Sequence, residues 1–291
     1  MLIDDLPKAP PDYSALVNPD IFAHGKLLRR FKGSEACRFS TRVALNILKH
    51  IETGDGPQFL WDPFCGTGLI PSVGLFAYAA RFDGVIASDI NPCAVQCARA
   101  NMSLFREPGE MEQRLREVRV RQKAYVRQTE NWRAVARYIE EIRPVLEVQR
   151  QQQPSSYAFT SSALALPRLG LKGQIHFVAD LPYGTMCRLQ GGTLGEVIPS
   201  ILQVYPDASI TFVLLRKALK EIHLDGSHTV NCRPLKKGRV ILQVRARRRA
   251  AFTLTGTNGP NHGQNKILSD LSGRKYLLRS TGRSIVVQNP R

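Results

Sequence analysis

Between residues 57 and about 247, short unbroken apolar runs alternate with stretches whose apolar positions recur every three or four residues. The short runs are FLWD (59–62), GVIAS (84–88), YAFTS (157–161), IHFVAD (175–180) and SITFVLL (209–215). Apolar runs of this length, bounded by turn residues, are the pattern of strands buried on both faces. Helices are expected over 68–80 and 92–105, and an amphipathic helix over 34–53 with Val43, Ile47, Leu48 and Ile51 on one face. Two further runs, near 228–233 and 239–247, flank Lys236-Lys237-Gly238 as a hairpin. Strands that alternate with helices imply right-handed crossovers and a parallel sheet covered on both sides, here with an antiparallel edge from the hairpin. The class is therefore α/β.

Three stretches depart from this rhythm. Residues 1–33 contain Pro7, Pro10, Pro11 and Pro19, which break any helix, and a basic cluster of Lys26, Arg29, Arg30 and Lys32. Residues 106–153 interrupt the alternation with two helical stripes, Met111, Leu115 and Val118, then Val135, Ile139, Ile142 and Leu146. These read as a helical hairpin packed on the sheet edge, and its arginines also suit a grip on RNA. Residues 248–291 are basic and rich in Gly, Ser, Thr and Asn, and read as a loosely ordered tail that contacts phosphates. The domain proper is expected over 34–247.

Charge narrows the partners. The 291 residues carry a formal net charge of +17, a surplus that a polyanion such as nucleic acid would balance. No apolar run reaches the roughly 18 residues of a membrane-spanning helix, so no membrane partner is expected. The opening MLIDDLPKAPPDY has early acids and prolines, the pattern of neither a signal nor a transit peptide. Six cysteines without a C-x-x-C pair suit a reduced, cytoplasmic setting without structural zinc, and no metal site is expected.

The candidate chemistry lies where strands end. Asp62 closes the first strand and opens a tight loop, Pro63 to Gly68, before a helix. Gly66 and Gly68 are expected to let the backbone approach a ligand where a Cβ would collide. The G-x-G spacing is not that of a dinucleotide or phosphate loop. Asp89 closes the second strand, 27 residues after Asp62, near the spacing at which an acid meets ribose hydroxyls. A ligand with a ribose, a cationic amino-acid end and no phosphate fits both: S-adenosylmethionine. A later strand ends in Asp180-Leu181-Pro182-Tyr183-Gly184. There Asp180 can accept a hydrogen bond from an exocyclic amine of a base, Pro182 fixes the backbone, and Tyr183 offers a face for a base to stack on. Such a site would act by positioning and electrostatics rather than through a covalent intermediate.

DPFCGTG, SDINP and DLPYG resemble class I S-adenosylmethionine methyltransferases of the [DN]-P-P-[YF] type, which modify exocyclic amines of nucleic-acid bases. The nearer resemblance is to the AviRa family of avilamycin-resistance 23S rRNA methyltransferases. It is carried by Trp61 to Gly68, Ser88-Asp89, the arginine-rich helical insertion, Ala179 to Gly184, Leu235 to Val240, and Phe39-x-x-Arg42. The resemblance implies a Rossmann-like class I fold with a mostly parallel seven-stranded sheet, an antiparallel C-terminal edge and a helical insertion. It implies methyl transfer to a guanine of 23S rRNA by a monomer. Carried onto this chain, Asp62, Phe64, Gly66 and Gly68 line the methionine end of the cofactor, Asp89 and Asn91 the ribose side, and Ile90 the adenine. Asp180, Pro182 and Tyr183 meet the target base, and Phe39, Arg42, Tyr183 and Arg188 contact RNA. Ser161-Ser162 stands where many relatives place an acid for the adenine amino group, so Ser161 is expected to serve there. A tRNA or DNA amino-methyltransferase, or a non-catalytic RNA-binding assembly factor of the same fold, remain the alternatives.

Overall fold

The computed structural model describes residues 12–34, 39–150, 153–181, 191–224 and 227–246, together with the backbone of 266–269, 275–280 and 285–288. Five strands, β1 (Gln58–Asp62), β2 (Gly84–Asp89), β3 (Ser155–Thr160), β4 (Gln174–Asp180) and β5 (Ser209–Leu215), run parallel. The hairpin of β6 (His228–Pro234) and β7 (Arg239–Ala246) adds an antiparallel edge, with β7 against β5. The order β3-β2-β1-β4-β5-β7-β6 sends the chain outward from β1, then back to β4 on the other side of β1. That reversal opens a crevice beyond the carboxyl ends of β1 and β4, the place where open α/β sheets take their ligands.

Side chains alternate across the sheet because successive strand residues point to opposite faces. Leu60, Val178, Val213 and Ile241 enter a core on one face, and Trp61, Phe177, Phe212 and Leu242 a second core on the other. Both faces are covered, which explains why the strands read as continuous apolar runs. The first core is roofed by α1 (Thr41–Lys49), α2 (Leu69–Ala77) and α3 (Pro92–Arg106), the second by α6 (Leu194–Val204).

Several expected boundaries move. The helix anticipated over 34–53 begins at Thr41, after Ser40 in extended conformation, and stops at Lys49. Residues 35–38 lie outside the described residues. Ile51 still reaches the core beyond the helix end, so its helical spacing was coincidental. The helix over 68–80 ends at Ala77 and gives way to a 3₁₀ turn, Ala79–Arg81. In the stretch expected to be irregular, Phe22, Leu27 and Leu28 are fully buried. Phe22 stacks on Phe76 and Phe105, with ring centroids 5.9 and 5.3 Å apart. Irregular backbone here is core, tied down by aromatic packing.

The insertion forms α4 (Glu110–Ala124) and α5 (Thr129–Gln149), joined through residues 125–128. Its apolar stripes belong to the first core, and Gln149 Nε2 donates to the Phe76 carbonyl at 2.8 Å. The hairpin thus leans on the helical layer and the N-terminal segment, more than on the sheet edge. Arg114 of α4 is buried: its Nε donates to the Leu27 carbonyl at 2.8 Å, Nη2 to the Lys26 carbonyl, and Nη1 to Glu117 at 2.7 Å. Where a loosely ordered tail was expected, Arg247–Arg291 forms a separate unit. In it β8 (Lys266–Ser269), β9 (Lys275–Ser280) and β10 (Ile285–Gln288) make an antiparallel sheet with β9 central.

Replacing Arg114 with Met leaves the Leu27 and Lys26 carbonyls, and one oxygen of the half-buried Glu117 carboxylate, without their donor. We expect a loss of about 3 kcal/mol, read from the midpoint of urea unfolding.

Candidate active site

Loop 62–68 is held by backbone hydrogen bonds that its residue types permit. The Phe64 N–H donates to Asp62 Oδ1 at 3.0 Å, the Cys65 N–H to the Ser88 carbonyl at 2.9 Å, and the Gly68 N–H to the Cys65 carbonyl at 2.7 Å. Gly66 and Gly68 take φ of +51° and +80°, a region that disfavours any side chain. Their tasks differ, which corrects the expectation that both face a ligand. A Cβ on Gly68 would lie 2.9 Å from Cα and Cβ of Ala98, so this glycine lets α2 pack on α3. A Cβ on Gly66 would meet nothing within 4 Å, so Gly66 is the one that borders open space. Trp61, part of the motif carrying the resemblance, is a core residue whose indole N–H donates to Ser88 Oγ at 2.9 Å.

Asp89, half-buried at the tip of β2, accepts from the Gly66 N–H at 3.0 Å and the Asn91 N–H at 2.9 Å. Burial raises its carboxyl above the usual range, against the pull of the Asn91, Gly66 and Ile90 N–H groups. Ile90 is 45% exposed beside it, an apolar surface at the mouth of the crevice. Asn91, expected at the cofactor, is the N-cap of α3, its Oδ1 accepting from the Cys93 N–H at 2.9 Å. The Ser161 N–H donates to the Asp89 carbonyl at 3.0 Å, which sets Ser161 at the tip of β3 next to Asp89. Phe64 is partly buried against the second core.

Asp62 is 2% exposed. Burial pushes its carboxyl well above the usual range; the Phe64 N–H opposes this, and the Asp89 and Asp180 carboxyls push the same way as burial. β1 lies between β2 and β4, so the strand-end acids Asp62, Asp89 and Asp180 meet at one edge of the sheet and share a field. A cation there would relieve them, so the residues fit the sulfonium and ammonium groups of S-adenosylmethionine. Burial, followed by Asp62 and Asp89, pushes the Cys65 thiol up, which makes it a packing residue rather than a nucleophile.

Asp180 ends β4 opposite Val213 of β5, and the Leu181 N–H donates to the Val213 carbonyl at 2.9 Å. Pro182, Tyr183 and Arg188 lie outside the described residues. Phe39 is partly buried against the first core, and the Arg42 guanidinium pairs with the exposed Asp20 at 3.4 Å. Neither of those two side chains hydrogen-bonds to the acidic trio among the described contacts.

Sequence reading missed what backs the loop. His24 Nδ1 is hydrogen-bonded to Thr67 Oγ1, between the two glycines. Burial, then the Arg30 charge, lowers the His24 pKa to about 4. Asn101 of α3 donates to the Thr67 carbonyl at 2.8 Å and accepts from the Arg29 N–H at 2.7 Å. His24 and the Arg29 backbone therefore brace the loop from behind, and no local motif signals it.

A family model described as rRNA methyltransferase AviRa matches residues 14–238, which include all three strand tips. A curated 23S rRNA (guanine(2535)-N(1))-methyltransferase of Streptomyces viridochromogenes is 26% identical over 174 residues. The match takes in 57% of this chain and 66% of that protein, just under two thirds of its length. Two solved structures of rRNA methyltransferase aviRa from Streptomyces viridochromogenes share the fold, with TM-scores of 0.59 and 0.60 at 22% identity. They cover 79% of this chain and 93% of their own.

The raised Asp62 pKa has a sign that can be measured. A carboxyl whose folded pKa exceeds its unfolded value destabilises the fold increasingly as pH rises from the unfolded value to the folded one, in full above the latter, and costs nothing below the former. Asp62→Asn keeps an acceptor for Phe64 and removes the charge. The variant is expected to melt higher than the parent above neutral pH, with the advantage vanishing as pH falls toward 3.8. Calorimetry should show its affinity for S-adenosylmethionine reduced about tenfold or more, since a hydrogen bond to a charged group contributes roughly 1.5–3 kcal/mol.

Proposed function

The chain belongs to the rRNA methyltransferase AviRa family, and from that premise we propose that it moves the methyl group of S-adenosylmethionine to a guanine of 23S rRNA. The observation that carries this reading is the meeting of Asp62, Asp89 and Asp180 in one electrostatic site at the carboxyl ends of β1, β2 and β4. The curated relative is named for the guanine N1 position, which favours the base's Watson–Crick edge as the target.

Bound S-adenosylmethionine supplies a methyl on a positively charged sulfur that departs as a neutral thioether. On this reading the chain's own residues do the rest. Asp62 and Asp89 hold the cationic and ribose parts, with Gly66 leaving room. Asp180 accepts the N–H of the guanine edge and takes the proton as the new nitrogen–carbon bond forms, so the methylated base leaves uncharged. Tyr183 stacks the base and Pro182 keeps the loop aimed. Stacking a splayed base on an aromatic side chain contributes roughly 1–3 kcal/mol, which offsets part of the cost of extruding it.

The acting species is a monomer, since one chain furnishes all three strand tips. The reaction takes place in the cytoplasm, where rRNA is found. Among the described residues no helix is long and apolar enough to cross a membrane. The basic stretch 248–291 adds phosphate contacts.

Asp180→Ala is expected to lower methyl transfer to an unmodified 23S rRNA transcript by about 10²–10⁴, the usual contribution of a positioned proton acceptor. Cofactor affinity should stay within a few fold, and loss of both together would contradict the assignment. Asp89→Ala should do the reverse, weakening cofactor binding first. Mass spectrometry of rRNA fragments from cells with and without the gene would locate the modified guanine, and identical spectra would sink the reading.

A further inference from the structure

A second concavity lies where the N-terminal segment meets the insertion. It has a volume of about 210 Å³ and is lined by His24, Lys26 and Arg30 from one side and by Gln128, Asn131 and Trp132 from the start of α5. One water takes roughly 30 Å³ of liquid, so the space suits a much larger group. Every polar side chain in its lining can donate a hydrogen bond, and none is a carboxylate. The indole N–H of Trp132, a residue 7% exposed, finds no hydrogen-bond partner among the described residues.

The two neighbouring arginines of this segment divide the labour. Arg29 is occupied, pairing with Glu117 at 3.1 Å and Glu110 at 3.5 Å. Arg30 is exposed, and among the described residues no ion pair includes it. Lys26 Nζ spends one proton on the Asp20 carbonyl at 2.7 Å, and its ammonium charge has no carboxylate partner among the described ion pairs. His24 is neutral near physiological pH, so Lys26 and Arg30 supply the positive charge of the pocket. The same His24 holds Thr67 of the glycine loop, which ties the pocket directly to the reaction centre. Just beyond Gln128, the turn of the helical hairpin exposes Tyr125 and Val126, at 56% and 81%.

We propose that this pocket holds the sugar–phosphate of a nucleotide flanking the target base, its phosphate met by Lys26 and Arg30 and its sugar or base edge by Asn131 and Gln128. Tyr125 and Arg127 continue the track outward along the RNA, as a stacking surface beside a cation. The inference rests on the RNA substrate proposed above and adds a second point of hold. An extruded base needs its neighbours fixed, and an anchor braced on Thr67 fixes them in register with the cofactor loop.

The test compares the full chain with a Lys26→Gln/Arg30→Gln double variant and with Asn131→Trp, which fills the cavity without changing charge. Binding of an unmodified 23S rRNA transcript is measured over a series of salt concentrations. The double variant should bind about tenfold more weakly, with a salt slope flatter by roughly 0.7–1 for a lost phosphate contact. Asn131→Trp should weaken binding as much while keeping the slope within half of that change. Both variants should keep the parent's melting temperature and affinity for S-adenosylmethionine, with KM for RNA raised and kcat at saturating RNA retained. Parental affinity and slope in the double variant, or an effect of charge without any effect of filling, would overturn the proposal. Failure of the methylation reading looks different: the parent then transfers no methyl to rRNA, whatever the two variants do to binding.

Discussion

Like charges gathered in a place with little water set the terms for the whole site. Asp62 is buried, and the carboxyls of Asp89 and Asp180 share its field. In a less polar medium such groups resist ionising together, and a cation of fitting shape is what lets them do so. The fold produces this arrangement because parallel strands all end at the same edge, and the reversal of strand order between β1 and β4 leaves that edge uncovered. The stress is thus a property of topology, and it suits a positively charged ligand.

The cluster is held in place partly by one of its own members and partly by groups outside it. The glycine loop is fastened to β2 through Ser88 and Asp89, to α3 through Asn101, and to the N-terminal segment through His24. That segment is in turn pinned to the helical insertion by Arg114 and by the Arg29–Glu117 pair. An insertion that reads in isolation as an appendage is, in the folded chain, a buttress for the cofactor loop. Its outward turn carries exposed aromatic and basic groups, while its inward face is continuous with the core. Of the insertion's arginines, Arg114 gives structural support, and Arg29 of the N-terminal segment meets it through Glu117.

Most strands were legible because burial on two faces leaves an unbroken apolar run, and a run of five or six such residues has few other uses. The strand-tip acids were legible for a related reason: a charge placed directly after a buried strand must sit at its end. Helix ends were less so. The helix over Thr41–Lys49 is half the length that its periodicity suggests, since Ile51 reaches the core from beyond the last turn. The strands of Arg247–Arg291 escaped notice because their apolar runs are weak and interrupted by turn residues.

By itself the chain of residues determined the α/β alternation, the antiparallel edge, the order of the three acids and the glycine-containing turn. Periodicity and turn chemistry act over a few residues, so they can be read without knowing what lies opposite. Tertiary structure alone decided which glycine borders open space and which faces Ala98, and that Asn91 caps a helix. It also decided that Asp62 carries a raised pKa, and that a proline-broken opening becomes the brace of the site. Each of these depends on partners far apart in the chain, 43 residues for His24 and Thr67 and 87 for Arg114 and Leu27. No local pattern encodes a neighbour that only folding brings near.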